Sequence, residues 1–190
     1  MSDMALLEFL RRPITVEEYN RMAEAGILDP DERVELLDGD LILVPPHGPP
    51  HFSTVARMAN VLMKRLSARA LVTVQLPVIV SDRSEPEPDI AVLGRRDDYY
   101  ASGLPRTPDV YAVVEVADSS LGIDSGKKLA IYAGAGVAEY WIVDVRRGAV
   151  IMNREPNGSS YDSVQTAYRG ASVAFAAFPD ETFSVDELIG

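Results

Sequence analysis

The chain contains no cysteine, which removes disulfides, thiolate nucleophiles and cysteine-bound zinc together. Its only two histidines are His47 and His51, so a histidine-rich metal centre is not expected. No apolar run approaches the roughly 20 residues of a membrane-spanning helix. Residues 1–12 place their basic pair, Arg11 and Arg12, after a short apolar stretch, which is not the order of a secretory signal. A cytoplasmic protein without a membrane partner is therefore expected, and the glycosylation-type triplet Asn157-Gly158-Ser159 carries no meaning without export. There is no P-loop, no Gly-x-Ser-x-Gly elbow, no dinucleotide fingerprint and no His-Glu-x-x-His. Positive charge is scarce as well: 18 Lys and Arg stand against 29 Asp and Glu, a net charge of −11. Such a surface repels a polyanion unless its cations cluster. The doublets Arg11/Arg12, Arg95/Arg96, Lys127/Lys128 and Arg146/Arg147 and the group Lys64/Arg65/Arg69 form no nucleic-acid stripe.

What is present is an ordinary globular composition, 47% hydrophobic and 25% charged, and 190 residues suit one domain with a sizeable core. Thr15-Val16-Glu17-Glu18 has capping-box form and opens a helix to about residue 25. Segments 33–37 and 40–44 flank Asp38-Gly39, a strong hairpin signal. A proline-rich loop, 45–50, leads into an amphipathic helix over 51–69, with Phe52, Val55, Met58, Ala59, Leu62 and Leu66 at helical spacing. Strands are expected over 71–80 and 90–93, joined by a polar stretch, then over 110–117 after a loop containing Gly103, Pro105 and Pro108. A turn at 118–122 precedes a helix over 124–133 that Asp124 can cap and Gly134 and Gly136 can stop. Strands over 139–145 and 149–153 follow, then shorter ones, and 184–187 reads as a short terminal helix. This order suits an α/β (α+β) sheet with helices packed on it.

Two acids stand out within this frame. Asp89 begins the apolar run of Glu87-Pro88-Asp89-Ile90-Ala91-Val92-Leu93, and Glu115 interrupts Val113-Val114-Glu115-Val116. A buried Glu is rare unless it is paired or bound to a cation. If the two strands are neighbours, the carboxylates converge in an oxygen-rich arrangement that suits Mg²⁺. On the following helix, Leu129, Tyr132 and Ala133 mark the packed face; Lys128 lies near its rim and Lys127 almost opposite. Lys127 is expected in solvent, whereas Lys128 either reaches back to the sheet or simply solvates the helix.

The run Glu35-Leu36-Leu37-Asp38-Gly39, Pro45-Pro46 before His51, Glu87-Pro88-Asp89, Val113-Val114-Glu115-Val116, 124–128 and 132–144 occur in order. Together they resemble the Uma-two family of restriction-endonuclease-like proteins, within the PD-(D/E)XK nuclease superfamily. The resemblance implies a mixed β-sheet core with flanking helices and Mg²⁺ bound by the two acids. Ala117 occupies the place where the superfamily has its lysine, and Lys128 fits the position to which this family moves it. Asp118-Ser119-Ser120 replaces the usual Ser-Pro-Ser.

By the resemblance, Asp89, Glu115 and the Val116 carbonyl would hold Mg²⁺ (Mn²⁺ as an alternative) for phosphodiester hydrolysis in DNA. Lys128 would orient or deprotonate the attacking water, or stabilise developing charge. Deprotonation requires its pKa to fall far below the usual value of about 10.4. Glu35, His51 and Glu87 are possible supporting residues. Their plainer readings are the solvent face of a strand for Glu35, a capping or surface histidine for His51, and exposed loop charge for Glu87. Tyr140 and Trp141 are read as core aromatics. Cutting both strands of a duplex suggests a homodimer. The acidic surface keeps two rivals open: a catalytically inactive binding or oligomerisation module, and a metal-dependent hydrolase of a smaller phosphate ester.

Overall fold

The computed structural model describes residues 11–29, 31–118 and 120–190. Most of the N-terminal stretch 1–12 and Ser119 of the expected turn lie outside the described residues.

Helix α1 (Val16–Glu24) begins as the capping box requires: the Thr15 side chain accepts from the Glu18 amide, and the Glu18 carboxylate accepts from the Thr15 amide. Strands β1 (Val34–Leu37) and β2 (Asp40–Leu43) form the expected hairpin. Its two turn residues, Asp38 and Gly39, have φ of 54° and 78°, the left-handed pair of a type I′ turn. A Cβ on Gly39 would overlap Pro13, so only glycine fits this close approach. Backbone bonds from the Gly39 amide to the Arg83 carbonyl and from the Glu85 amide to the Leu36 carbonyl pin the hairpin to the segment before Asp89.

A six-stranded sheet carries the rest, in the order β3 (Leu71–Val74), β4 (Ile90–Leu93), β5 (Val110–Ala117), β6 (Glu139–Asp144), β7 (Ala149–Asn157) and β8 (Ser160–Tyr168). All neighbours are antiparallel except β5 and β6, whose parallel pairing needs a crossover. That crossover is a helical segment made of one turn at Leu121–Ile123, a π-helical turn at Asp124–Lys128 and α3 (Leu129–Gly134). Strand β3 ends earlier than the expected 71–80 because Gln75 turns left-handed (φ 50°) and Pro77 cannot donate to a ladder.

Alternation along β5 divides the core. Ala112, Val114 and Val116 face helix α2 (Pro49–Leu66), with Val55, Met58, Leu62 and Leu66 from that helix. The C-terminal elements β9 (Ser172–Val173), β10 (Phe183–Ser184) and α4 (Val185–Ile189) close this side, where Trp141 stacks on Phe175 at 4.0 Å. Val113 and Ala117 face the other way, toward Tyr132, Ala133 and Tyr140. Glu115 shares this second face by the period of two, so it lies beneath the crossover helix. Asp89 falls on the same face, in step with Ala91 and Leu93. Tyr140 and Trp141 are fully buried core residues, in keeping with their sequence context.

Candidate active site

The β4–β5 register pairs Ile90 with Val114, and one step further sets Asp89 opposite Glu115. Like charges directly opposite repel, so the pair persists only with compensation. Asp89 receives it from three donors. Its Oδ2 accepts from the Val116 amide at 2.9 Å and lies 2.9 Å from His51 Nε2, and its Oδ1 accepts from Gln75 Nε2 at 3.2 Å. Glu115 Oε1 accepts from Lys128 Nζ and from the Tyr132 hydroxyl, each at 2.9 Å.

Lys128 Nζ also donates to Glu35 Oε1 at 3.3 Å and stands 3.1 Å from Glu35 Oε2. The approach is not aligned, however, and Oε2 is left buried without a hydrogen-bond partner. The π-helical turn produces this reach: it buries Asp124 and Lys128 on one side while Ser125 and Gly126 stay exposed. Asp124 accepts from the Ser120 hydroxyl at 2.6 Å and is 2% exposed. Lys127 points away, half-buried, to Asp40 at 2.7 Å.

These groups line a cavity of about 340 Å³. Arg33, Glu35, Asp89, Glu115, Ser120, Asp124 and Lys128 are in its polar part, and Ile42, Leu43, Val44, Pro45, Pro46 and Ile123 form an apolar wall. Glu87, half-buried, and His47 lie on its lining.

Burial dominates the electrostatics. Desolvation pushes the Glu115 carboxyl up to about 8, against the pull of Lys128. It raises Glu35 and Asp124 too, although Lys128 opposes both shifts. For Lys128, burial favours loss of the proton, but Glu115 and Glu35 outweigh it and hold the ammonium above its usual range. For Asp89, burial favours protonation, but the His51, Val116 and Gln75 hydrogen bonds outweigh it and keep the carboxylate ionised. His47 is shifted downward by burial and by its neighbour His51, so its ring is neutral near pH 7.

The structure thus brings Asp89, Glu115, Lys128, Glu35 and His51 together, with Glu87 at the margin. Three plain readings are corrected. Glu35 is 3% exposed rather than on a solvent face, because Glu35, Leu36 and Leu37 are consecutively buried and both sides of β1 are covered. His51 is 3% exposed and bonded to Asp89, not a surface cap. Glu87 is partly withdrawn into the cavity lining rather than fully exposed. Its neighbours hold the Lys128 ammonium above its usual range, the opposite direction to the one a deprotonating role requires.

Sequence reasoning missed the part played by Asp124, Tyr132, Gln75 and His47. Asp124 and Tyr132 flank Lys128 at i−4 and i+4, a helical spacing that could have placed all three on one face. Gln75 gave no signal inside an apparent strand.

A divalent cation fits this donor set. Four buried carboxyl groups face a single buried lysine, three of them with pKa values raised by desolvation, and one carboxylate oxygen, on Glu35, accepts no hydrogen bond. Oxygen-rich sites of this kind suit Mg²⁺, Mn²⁺ or Ca²⁺.

The family model Uma2, described as "Putative restriction endonuclease", matches residues 16–186. The chain belongs to this family. A solved structure described as a "putative nuclease belonging to DUF820" from Anabaena variabilis ATCC 29413 superposes with a TM-score of 0.71. It is 17% identical, with 93% of this chain and 98% of that one covered, so the likeness is one of fold. No curated protein matches the chain. Among the described residues of this Uma2 chain, no helix is long and apolar enough to cross a membrane.

Proposed function

We propose that this Uma2 protein hydrolyses phosphodiester bonds in DNA with a bound divalent cation, Mg²⁺ first and Mn²⁺ as the alternative. The carrying observation is the convergence of the buried Asp89, Glu115 and Glu35 carboxyl groups around Lys128, with one Glu35 oxygen lacking a hydrogen bond. Asp89, Glu115 and the Val116 carbonyl would hold the cation, with Glu35 as a further oxygen donor. Bound there, it would supply positive charge that acidifies water and neutralises phosphate in the transition state.

The chain's own groups divide the remaining work. Lys128 is a fixed cation that attracts phosphate oxygens and donates hydrogen bonds to developing negative charge. Tyr132 fixes the Glu115 carboxylate, and His51, Gln75 and the Val116 amide fix that of Asp89. Little rotational freedom is left to be lost when substrate binds.

The test is incubation of supercoiled plasmid and short single strands with Mg²⁺ or Mn²⁺, with and without chelator. Metal-dependent cutting is expected, and intact DNA under every condition counts against the reading. A homodimer belongs to the same reading, since two symmetric sites would cut both strands. Light scattering should give twice the 20.7 kDa chain mass, and a monomer at assay concentration rejects it.

A second reading draws on the net charge of −11 and the modest cavity: hydrolysis of a smaller phosphate ester. Turnover of small esters with DNA left untouched would favour it.

A further inference from the structure

We propose that His47 and His51, with Asp89, form a mixed nitrogen–oxygen subsite that selects a first-row transition cation of the Mn²⁺, Co²⁺ or Zn²⁺ class over Mg²⁺. The inference adds a second subsite beside the oxygen-rich one of the proposed function, and it rests on that reading only through the shared Asp89.

The chain has two histidines, and the fold puts both at one carboxylate. His47 sits in the proline loop and His51 in the first turn of α2, with their rings stacked 3.7 Å apart and 6° from parallel. His51 Nε2 lies 2.9 Å from Asp89 Oδ2. One ligand atom from each of the three residues lies within 4.8 Å of the others.

Two donors at right angles around an ion, each at about 2.1 Å, are roughly 3 Å apart. The His51–Asp89 pair therefore already has the spacing of two ligands to one cation. Stacked rings present their nitrogen lone pairs side by side, so His47 must turn to join them. It is the loop member of the pair, whereas His51 is buried in α2.

The choice of ion follows from the donors. Imidazole suits the later divalent metals, whose affinities rise along the first row, while Mg²⁺ keeps to oxygen ligands and water. The cavity thus has oxygen donors at Glu35, Glu115 and Asp124 and a nitrogen donor at His47, with Asp89 between them and His51 buried behind Asp89. The competing account is that His51 only orients Asp89 through a hydrogen bond; under it, His47 contributes nothing.

The deciding experiment titrates Co²⁺ into the untagged, metal-stripped full chain, followed by visible absorption and equilibrium dialysis, with Mg²⁺ binding read from the rise in Tm. His47→Ala and His51→Ala should each weaken Co²⁺ binding by roughly tenfold or more, since loss of even an outer partner costs that much. The Mg²⁺ response of His47→Ala should match the parent. Parent-like Co²⁺ affinity in His47→Ala overturns the inference and leaves His51 as a positioning partner. Equal losses for Co²⁺ and Mg²⁺ also overturn it, because they report general damage to the site. If His51→Ala does not fold, His47→Ala decides alone. None of these readouts involves DNA, so absence of cleavage would count against the proposed function and not against this subsite.

Discussion

Replacing Asp89 with alanine is expected to slow metal-dependent DNA cleavage by about a thousandfold or more, with the protein still folded. The size follows from losing several kcal/mol of transition-state charge stabilisation, at about 1.4 kcal/mol per factor of ten. Survival of the fold follows from opposing terms. The substitution leaves the Val116 amide and His51 without their acceptor, at about 1–3 kcal/mol for an unsatisfied buried donor. It also removes a negative charge set opposite Glu115, which relieves repulsion. Asp89→Asn nearly keeps the volume but removes the charge, and should lose cleavage to a similar degree. Initial rates on supercoiled DNA, with thermal melts of each variant, measure both effects. Parent-like cleavage by Asp89→Ala, or parent-like Mg²⁺ affinity, would remove Asp89 from the site.

The parts of this arrangement that were legible in the sequence are those fixed by local chemistry. Asp38-Gly39 specifies its turn because two left-handed residues are required there, and the structure has both. Thr15 and Glu18 specify a helix start because each satisfies the other's backbone amide. At about 100° per residue Lys127 and Lys128 fall on different sides of the helix. That spacing left Lys128 open between sheet and solvent and did not foresee the Lys127–Asp40 pair. The π-helical turn decides where Lys128 goes. Glu35 was not readable. Alternation distinguishes two faces of a strand, but not whether a helix elsewhere in the chain covers the second. His51 failed for a related reason: nothing local marks the first turn of a helix as lying against the end of a strand 38 residues away. Gln75 reaches Asp89 only because the chain leaves β3 through a left-handed residue, which a run of apolar and β-branched neighbours conceals. Long-range convergence on one carboxylate is a property of the sheet order rather than of any segment.

Lys128→Met should destabilise the metal-free protein strongly at pH 8 and much less at pH 5. Its ammonium is the buried cation shared by Glu115 and Glu35, and methionine fills similar space without charge. Breaking a buried ion pair costs about 3–5 kcal/mol, or roughly 6–20 °C in Tm for a chain of this length. The pH dependence has a definite sign. Burial raises the folded-state pKa of Glu115 to about 8 from the ordinary 4.5. The folded protein therefore holds more protons than the unfolded chain across that interval, and its stability falls as pH rises through it. Glu35 and Asp124, also raised by burial, act in the same direction. Asp89 is depressed, so its contribution is lost only as pH falls below its ordinary 3.8, outside this window. Without Lys128 the carboxyls are raised further, so the decline of the variant with pH is steeper than that of the parent. Mg²⁺ should narrow the gap at pH 8 by supplying the missing charge, because a ligand of the folded state raises its stability. Thermal melts of both proteins at pH 5 and pH 8, with and without Mg²⁺, measure all of this. An equal loss at both pH values would mean that Lys128 acts through packing alone, and no loss at either would mean that it does not neutralise the acids it touches.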